Sequence, residues 1–305
     1  MIEVAPVDID ALERVVRIHN VVRPDDPSTV ESFVDWKRQA DEMVWLLATA
    51  DGEDLGAAVG VVGWHSPPQT SRVHAWTLPQ ARGRGAGTKL YEELTRWSAT
   101  RGCSEMDTEV DQGDDASLAW AERRGFREVA RDSSLVLDLE HVEAPSVEPP
   151  AGIEIVTWAE RPGIDRELYE VYAEAEPDIP GEEHNELPPF VQWLSSDMHG
   201  ISDRPEAVFV AVAGDEVVGY AKLAFPQHGT RVFHDLTGVK RAWRRRGIAS
   251  ALKRAQIAWA KANGYTQLVT SNDERNEPIL RLNTRHGYRA EPGSIVLRRA
   301  VSGDA

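Results

Sequence analysis

Two short segments combine arginine with glycine at a spacing suited to holding a phosphate. They read RGRGAG from Arg82 and RRRGIA from Arg244. A strand that turns through glycine into a helix presents free backbone N–H groups and the positive end of the helix dipole to one point in space. Adjacent arginines add charge-assisted hydrogen bonds. Both segments fit [QR]-x-x-G-x-[GA], and neither fits the P-loop or the dinucleotide-binding fingerprint. They therefore predict two phosphate-binding loops.

The phosphate must be met locally, because the whole chain is acidic. Asp and Glu number 50 against 34 Lys and Arg, for a formal net charge of -16. Nucleic acids and anionic membranes are held by extended basic surfaces, so we expect neither as a partner. Three adjacent cations at a helix start also oppose the helix dipole unless an anion offsets them. We therefore expect the arginines to face the phosphates of a small ligand.

Candidate acid and base groups precede the second loop. His234 and Asp235 lie on the strand predicted to lead into it, and His74 lies on the corresponding strand before the first loop. Asp235 and Val239 are an even number of residues apart, which predicts that they share a strand face. Residues 174–186, EAEPDIPGEEHNE, are rich in carboxylates. They indicate either a wall for a cationic acceptor or a charged surface loop.

The elements that position these residues occur twice. Residues 82–126 align with residues 244–288 without a gap, at an offset of 162. The segment EAPSVEPPAG between the copies has three prolines and no periodicity, which is typical of a linker. The repeat predicts an N-terminal domain over residues 1–142, a linker over 143–152 and a C-terminal domain over 153–305.

Each copy predicts the same order of elements. A helical first third leads into a strand pair, a further strand, the arginine and glycine loop, a helix, a short strand, a last helix and a terminal strand. In the second copy, Gly214 and Asp215 between apolar runs predict a hairpin. The helix that starts near Ile248 is predicted to end at Asn263-Gly264. This order predicts an α/β fold with a mixed sheet.

The overall composition is that of an ordinary globular protein. The chain has 305 residues, of which 41% are hydrophobic, and one cysteine, Cys103, so no intrachain disulfide is possible. No basic leader and no long apolar run are apparent, so we expect a cytoplasmic protein with no membrane partner. We expect no metal site, and either a monomer or a homodimer.

Both copies resemble the GCN5-related N-acetyltransferase (GNAT) superfamily, and their tandem arrangement resembles two-GNAT proteins of the mycothiol synthase kind. The resemblance rests on the two loops, on Thr77–Pro79 and Val239–Arg241 in place of the family's V-x-P, and on the late G-[FY] pairs at Gly125 and Gly287. It implies two tandem GNAT-type domains, each a mixed, mostly antiparallel sheet with a splayed central strand pair flanked by helices. It also implies acetyl-CoA as the cofactor, with its pyrophosphate in the loop.

The resemblance extends to individual positions. The cofactor-binding residues that it implies in the first copy are Thr77, Leu78, Arg82, Gly83, Arg84, Gly85, Ala86, Gly87 and Thr88. In the second copy they are Thr237, Gly238, Val239, Arg244, Arg245, Arg246, Gly247, Ile248, Ala249, Ser250 and Asn276.

The implied activity is transfer of an acetyl group to a primary amine of a small molecule, such as an amino sugar, an amino acid or a peptide. Such chemistry needs a base, an oxyanion donor and a proton for the thiolate. Asp235 and His234 are the candidate bases, which favours the second copy. The family's acidic tyrosine is replaced by Asn283 in the second copy and by Ala121 in the first. Asn283 can only hydrogen-bond, so the acid stays open between water, another residue and solvent. The alternative is a non-catalytic CoA-binding or acyl-CoA-sensing protein.

Overall fold

The computed structural model describes residues 1–63, 66–180, 187–226 and 229–301. Along the described chain the strands are β1 Glu3–Pro6, β2 Glu42–Ala50, β3 Glu53–Val62, β4 Thr70–Thr77, β5 Glu105–Asp111, β6 Arg127–Asp138, β7 Glu154–Thr157, β8 Val208–Ala213, β9 Glu216–Ala224, β10 Arg231–Val239, β11 Gln267–Asp273 and β12 Arg289–Ala300. The helices are α1 Leu12–Val22, α2 Val30–Gln39, α3 Ala86–Thr100, α4 Asp115–Glu122, α5 Asp165–Ala175, α6 Phe190–Trp193, α7 Ile248–Ala262 and α8 Glu277–Arg285. The predicted α/β class is confirmed.

The chain forms two compact units. Of the described residues, unit 1 comprises 1–130 and 295–301, and unit 2 comprises 131–180 and 187–294. In unit 1 the strand order is β1-β2-β3-β4-β5-β12, and in unit 2 it is β7-β8-β9-β10-β11-β6. The neighbours from β1 to β4 and from β7 to β10 are antiparallel. β4 with β5, and β10 with β11, are parallel.

The last strand of each sheet comes from the other sequence copy. In unit 2, β6 of the first copy pairs with β11 along seven residues, from Gln267↔Asp138 to Asp273↔Asp132. In unit 1 the second half of β12 lies beside β5, where Arg298 binds both carboxylate oxygens of Asp107 at 2.7 and 2.9 Å. The domain bounds at residues 142 and 153 therefore stay a prediction about the sequence repeat, because the compact units divide the chain within β6 and β12.

Each unit contains the splayed pair of central strands that was expected. β4 pairs with β5 only over Thr70–Arg72, and β10 pairs with β11 only over Arg231–Phe233. Beyond these points the two strands of each pair are no longer hydrogen-bonded to one another. Backbone groups of β4 and β10 that point into the opening thus have no strand partner there, which leaves room for an extended ligand to pair with them.

Helices cover both faces of each sheet. In unit 1, α1 and α2 pack on one face, and α3 packs on the other with Met106, Ile295 and Leu297. In unit 2, α7 packs on one face with Leu135 and Leu137, while α5 contacts β9 and β10. The predicted end of α7 is confirmed, because the helix stops at Ala262 and Gly264 has the left-handed φ of 80°. The predicted hairpin also forms, joining β8 to β9 through Gly214 and Asp215.

Candidate active site

The two predicted loops have the same backbone shape. In unit 1, Gly83 and Gly85 have φ values of 75° and 96°, and α3 begins directly after them. In unit 2, the equivalent Arg245 and Gly247 have φ values of 61° and 87°, and α7 begins directly after them. The loop geometry therefore requires a left-handed residue at its second position, where the first copy has glycine and the second has a strained arginine. In both loops the first N–H groups of a helix are directed at the loop.

The arginines of the unit 2 loop are not equally available to a ligand. Arg244 donates from Nε to the carbonyl oxygen of Val239 at 2.9 Å and forms an ion pair of 2.6 Å with Asp178. Arg246 donates to the carbonyl of Ala242 and stacks over the Trp243 ring at 4.7 Å. Arg245 has no such partner within the described ranges. Arg245 is therefore the guanidinium of this loop best placed to meet a phosphate.

Asp178 also fixes the residue before the loop. Its carboxylate holds the Arg241 side chain through two bonds, of 2.8 and 2.7 Å, and these arginines hold the pKa of Asp178 at about 2. Glu174 accepts a hydrogen bond from the backbone N–H of Arg241. The first part of the acidic segment 174–186 thus braces the loop, while residues 181–186 lie outside the described residues.

The unit 1 loop is more open. The side chains of Arg82 and Arg84 form no ion pair with any described residue, and an added Cβ at Gly83 or Gly85 would meet nothing within 4 Å. Thr88 accepts a hydrogen bond of 2.8 Å from Arg124, which fixes the first turn of α3. This loop has space for an anion directly above its backbone.

Asp235 lies on a β-bulge that unit 1 lacks. In unit 2, His234 is opposite Leu223 and Thr237 is opposite Ala221, so Asp235 and Leu236 together face Lys222. In unit 1 the pairing of β4 with β3 runs without a shift from Arg72 to Thr77. The first paired residue is Thr70 on β4 and Arg231 on β10, which are 161 positions apart. The first paired residues of β5 and β11, Glu105 and Gln267, are 162 positions apart, so one extra residue lies between the start of β10 and the start of β11. Asp235 is therefore part of a one-residue insertion specific to the second copy.

The bulge overturns the expectation that Asp235 and Val239 share a strand face. Val239 is buried in the core cluster under α7. An added Cβ on Gly238 would instead lie 3.0 Å from Ala175 of α5, so residues 238 and 239 point to opposite faces. The extra residue shifts the alternation of side chains, which places Asp235 on the α5 face.

Asp235 is the exposed end of a buried charge cluster. Its carboxylate lies 2.6 Å from Lys222 Nζ, and 43% of its side chain is exposed. Lys222 also binds Asp203 at 2.8 Å, with both of these side chains only 5% exposed, and it donates to the carbonyl oxygen of Asp197. Asp197 lies in a π-helical turn, Leu194–Met198, that follows α6. Such turns interrupt a helix and are frequent at functional sites.

The carboxyl groups of this cluster have different acidities. Burial, opposed by the Lys222 charge and reinforced by Asp235 and Asp203, raises the pKa of Asp197 to about 7. Burial likewise raises the pKa of Asp203. Burial acts against the charge of Lys222, but the carboxylates of Asp235 and Asp203 outweigh it and raise the pKa of that amine. The cluster therefore contains two carboxyl groups paired with Lys222 and one, that of Asp197, able to exchange a proton near neutrality.

His234 and Asn283 lie in a second polar cluster, on the α7 face. His234 Nε2 is hydrogen-bonded to the Tyr288 hydroxyl, and burial together with the Lys253 charge lowers the pKa of His234 well below its usual value. Asn283 is fully buried, and its Nδ2 donates a hydrogen bond of 3.0 Å to Asn272 Oδ1. A neutral, buried His234 on the face opposite Asp235 is a weak base for an amine that approaches the α5 face.

The remaining predicted residues have mixed roles. Ser250 is hydrogen-bonded to His286 Nε2 at 2.9 Å, and Asn276 caps α8 by accepting from the Ile279 backbone N–H. Thr237 and Gly238 follow the bulge, pair with Ala221 and Tyr220 of β9, and lie beyond the end of the pairing with β11. Ile248 is buried and Ala249 lies in the first turn of α7. In unit 1, Ala86 is buried at the start of α3, Thr77 ends β4 and Leu78 follows it.

Unit 1 carries apolar groups where unit 2 is polar. Trp76, 8% exposed, occupies the position of Gly238 and stacks edge-on against His19 at 4.8 Å. Burial and the Arg72 charge lower the pKa of His74 to about 4, so its ring is neutral at neutral pH. Ala121 is part of the buried core. The described part of β4 that corresponds to the Asp235 region thus has no bulge and no carboxylate, and it carries the neutral His74 at the position of Asp235.

Sequence reasoning missed Lys222, Asp203 and Asp197. The signal for Lys222 was present, because it is the one charge in the otherwise apolar run VVGYAKLAF. A lysine inside a buried strand needs carboxylate partners. The partners come from a turn 19 and 25 residues earlier, which no local pattern connects to β9.

No helix in the described part of the chain is long and apolar enough to cross a membrane. No group of three or more His, Cys, Asp or Glu side chains in the described ranges is arranged to hold a metal ion.

Comparison with known proteins places these features in a family. The profile of the "Acetyltransferase (GNAT) family" matches residues 11–126 and 166–288. An aminoglycoside N(6')-acetyltransferase type 1 of Salmonella typhimurium is 29% identical over 99 residues, which cover 30% of this chain and 68% of that protein.

Two solved structures share the fold over the whole chain. A GCN5-related N-acetyltransferase from Sphaerobacter thermophilus has a TM-score of 0.77 and 22% identity, covering 100% of this chain and 97% of the other. A tandem GNAT protein from the clavulanic acid biosynthesis pathway has a TM-score of 0.81 and 17% identity, covering 100% of both chains. Family members generally take their acyl group from acetyl-CoA and pass it to small-molecule acceptors. Because the family profile matches well over half of the sequence, in two successive regions, the chain belongs to the GNAT acetyltransferase family and is a tandem acyltransferase.

Proposed function

We propose that the protein transfers an acetyl group from acetyl-CoA to the primary amine of a cationic small molecule, and that the reaction takes place in unit 2. The observation that carries this proposal is the placement of Asp235. It stands on a bulge next to the unpaired edge of β10, half-exposed and tied to Lys222 at 2.6 Å. An ionised carboxylate in this position binds an ammonium group beside the strand that would hold the acetyl donor.

The residues of the loops fit the phosphates of coenzyme A. The helix start at Gly247, the free guanidinium of Arg245 and the left-handed backbone of the loop offer hydrogen bonds and charge to a pyrophosphate. Beyond Phe233 the open edge of β10, including Thr237 and Val239, offers backbone groups to an extended amide-containing arm. When bound, the cofactor supplies an activated thioester. We propose the same mode of binding for the unit 1 loop through Arg82, Arg84 and the glycines at positions 83 and 85.

Binding of the acceptor amine and acceptance of its proton divide between two carboxyl groups. We assign Asp235 to binding and orienting the acceptor amine, since its half-exposed carboxylate lies beside the open edge of β10. We assign Asp197 to accepting a proton, because its pKa of about 7 suits transfer near neutral pH. The negative charge of the cluster selects for a cationic acceptor. An amino sugar is the preferred class, because the relatives named above include an aminoglycoside acetyltransferase, and a further neighbour of 0.73 TM-score is described as a glucosamine N-acetyltransferase region.

The alternative, a protein that binds acyl-CoA without catalysis, is better suited to unit 1 alone. Trp76 fills the position of Gly238 there, and the bulge with its carboxylate is absent. We therefore propose that unit 1 contributes a second binding loop and no chemistry.

Steady-state acetyl transfer to an amino sugar, an amino acid and a dipeptide tests this proposal. Asp235→Asn keeps the shape of the side chain and removes its charge, so we expect turnover to fall about 100-fold. Asp215→Asn, in the exposed hairpin turn, is the matched control and should behave as wild type. Calorimetry should give the same acetyl-CoA affinity for all three proteins. Unchanged turnover in Asp235→Asn would refute the role of Asp235, and acetyl-CoA binding without transfer to any amine would favour the non-catalytic alternative.

A further inference from the structure

Lys253 is a buried cation without a carboxylate. It lies on the sheet-facing side of α7 and is 1% exposed. Its Nζ lies 5.3 Å from the centre of the Tyr288 ring, and no described carboxylate pairs with it. A buried ammonium without an anionic partner is costly, so residues of this kind are retained mainly where a function requires them.

Lys253 belongs to a wider polar cluster that is incompletely hydrogen-bonded. Asn283 Oδ1 is buried and makes no hydrogen bond with the described residues, and His234 Nδ1 and Gln256 Oε1, whose side chains interact with each other, have no other partner among them. His234 and Asn283 are 8% and 0% exposed. Orphaned buried polar atoms are rare in native proteins and call for a ligand or solvent to complete them.

The fold does not require this polarity, because unit 1 builds the same region from apolar groups. The residues equivalent to His234, Lys253 and Gln256 are Val73, Tyr91 and Leu94, while those equivalent to Asn272, Asn283 and Tyr288 are Val110, Ala121 and Phe126. Five of these six unit 1 residues are buried in one hydrophobic core, and Tyr91 packs against it. The second copy thus replaces a complete apolar cluster with a polar one.

The cluster lies at the point where the splayed strands separate. β10 and β11 are paired up to Phe233 and Val269, so His234 is the first residue of β10 beyond the pairing. The loop that follows β10 lies at the opposite, open end of the gap. An arm that binds with its phosphates in the loop and its chain between the strands therefore directs its far end toward His234 and the side chains beneath it.

We propose that Lys253 is the proton donor to the thiolate that leaves when the acetyl group is transferred in unit 2. This inference rests on the function proposed above and fills the position left open by Asn283. As the carbon–sulfur bond breaks, its electron pair stays on sulfur, and the Lys253 ammonium gives that sulfur one proton to form the thiol of coenzyme A. Lys253 is left as a neutral amine and regains a proton from solvent, while the proton lost by the acceptor amine goes to the carboxyl cluster on the α5 face.

The electrostatic surroundings of Lys253 support this role. Burial lowers the pKa of Lys253 to about 7, below that of a free thiol, so its proton is available to a thiolate. The titratable groups that face it are His234 on β10 and His286 and Tyr288 after α8. Burial and the charge of Lys253 lower the pKa of both histidines, and burial raises that of Tyr288. Near neutral pH all three are uncharged, so Lys253 is the member of this group that carries a positive charge.

The test compares Lys253→Met with Lys261→Met, the same substitution at a half-buried lysine further along α7. We expect Lys253→Met to lower turnover about 100-fold while the KM for acetyl-CoA is unchanged. The decline of the wild-type rate as pH rises through 7 should also disappear. Lys261→Met should keep both the wild-type rate and its pH profile.

A second readout does not depend on catalysis. The ultraviolet absorbance of the thiolate, titrated with pH in the complex with coenzyme A, should appear at lower pH in wild type than in Lys253→Met, because only wild type offers an ammonium to the sulfur. Wild-type rate, pH profile and thiolate absorbance in Lys253→Met would overturn the proposal. If no amine is acetylated by wild type, the proposed function fails, yet the absorbance still tests Lys253. Should Lys253→Met not fold, the double variant Lys253→Tyr with Tyr288→Phe, which recreates the unit 1 pair, takes its place.

Discussion

Replacing Leu297 with alanine is expected to destabilise unit 1, although residue 297 belongs to the second sequence copy. Leu297 is 1% exposed and lies in the same buried cluster as Leu90 and Met106. The mirror substitution is Leu137→Ala, in β6 of the first copy. Leu137 is 2% exposed and lies in the cluster of Leu252 and Leu268, in unit 2. Each substitution thus probes a strand that one sequence copy contributes to the other unit.

The magnitude follows from the cavity that each substitution leaves. Truncation of a fully buried leucine to alanine costs about 2 to 5 kcal/mol, because methyl groups leave an apolar environment that only partly collapses. At about 1.4 kcal/mol for each factor of ten, a loss of about 3 kcal/mol raises the population of the opened unit roughly 100-fold.

Hydrogen exchange read by mass spectrometry at peptide resolution is the assay. For Leu297→Ala we expect faster exchange of the slowest amides in α3 and β5, with little change in α7 and β9. For Leu137→Ala we expect the reverse. Leu297→Ala could instead accelerate hydrogen exchange in α7 and β9 and leave α3 and β5 unchanged. That result would show that the second sequence copy does not contribute its terminal strand to unit 1.

Three further outcomes are expected. Lys222→Met leaves Asp203 buried without its cation, so urea denaturation should show a loss of about 3 to 5 kcal/mol, and a loss below 1 kcal/mol would contradict the buried ion pair. Arg245→Gly removes the strain of an arginine with a left-handed backbone and should stabilise the fold by about 1 kcal/mol. The same substitution should weaken acetyl-CoA binding measured by calorimetry. Tighter binding would show that Arg245 does not face the phosphates. Because the pKa of Asp197 is raised to about 7, its folded form binds the proton more tightly than the unfolded chain does, so its contribution to stability is complete below the ordinary carboxyl pKa of about 4 and is lost as pH rises from there to 7. Asp197→Asn should flatten that part of the curve of unfolding free energy against pH, and an unchanged curve would place the titration elsewhere.

Much of the fold is accessible from the sequence because its signals are local or repeated. The gapless match of residues 82–126 with 244–288 fixes the two loops, the helices behind them and the short strands that follow. The C-terminal end of α7 and the β8–β9 turn follow from Gly264 and Gly214, whose left-handed backbone conformations only a few residue types adopt readily. Such signals depend on neighbouring residues alone.

The exchange of β6 and β12 could not be predicted in this way. The terminal strands have the same apolar alternation, so either one satisfies the edge of either sheet. The contacts that decide between them, such as Arg298 with Asp107, join residues 191 positions apart. Long-range partners of this kind leave no periodic trace in the sequence.

The candidate site was predicted in part. Asp235 was identified from its place before the loop, but its face was wrong, because a one-residue bulge reverses the alternation on which that prediction depended. Nothing in the local sequence singles out Lys253. Its significance depends on its burial and on the absence of a carboxylate partner, which only three-dimensional contacts reveal.

Acetyl transfer by Gly247→Glu and Gly85→Glu tests most directly whether unit 2 performs the reaction. Both glycines precede a helix with left-handed φ values of 87° and 96°, so each substitution places the same bulk, strain and negative charge in one phosphate loop. We predict that Gly247→Glu abolishes transfer, while Gly85→Glu loses one acetyl-CoA site by calorimetry and keeps the turnover of wild type. Transfer that survives in Gly247→Glu and is lost in Gly85→Glu would contradict the assignment of the chemistry to unit 2.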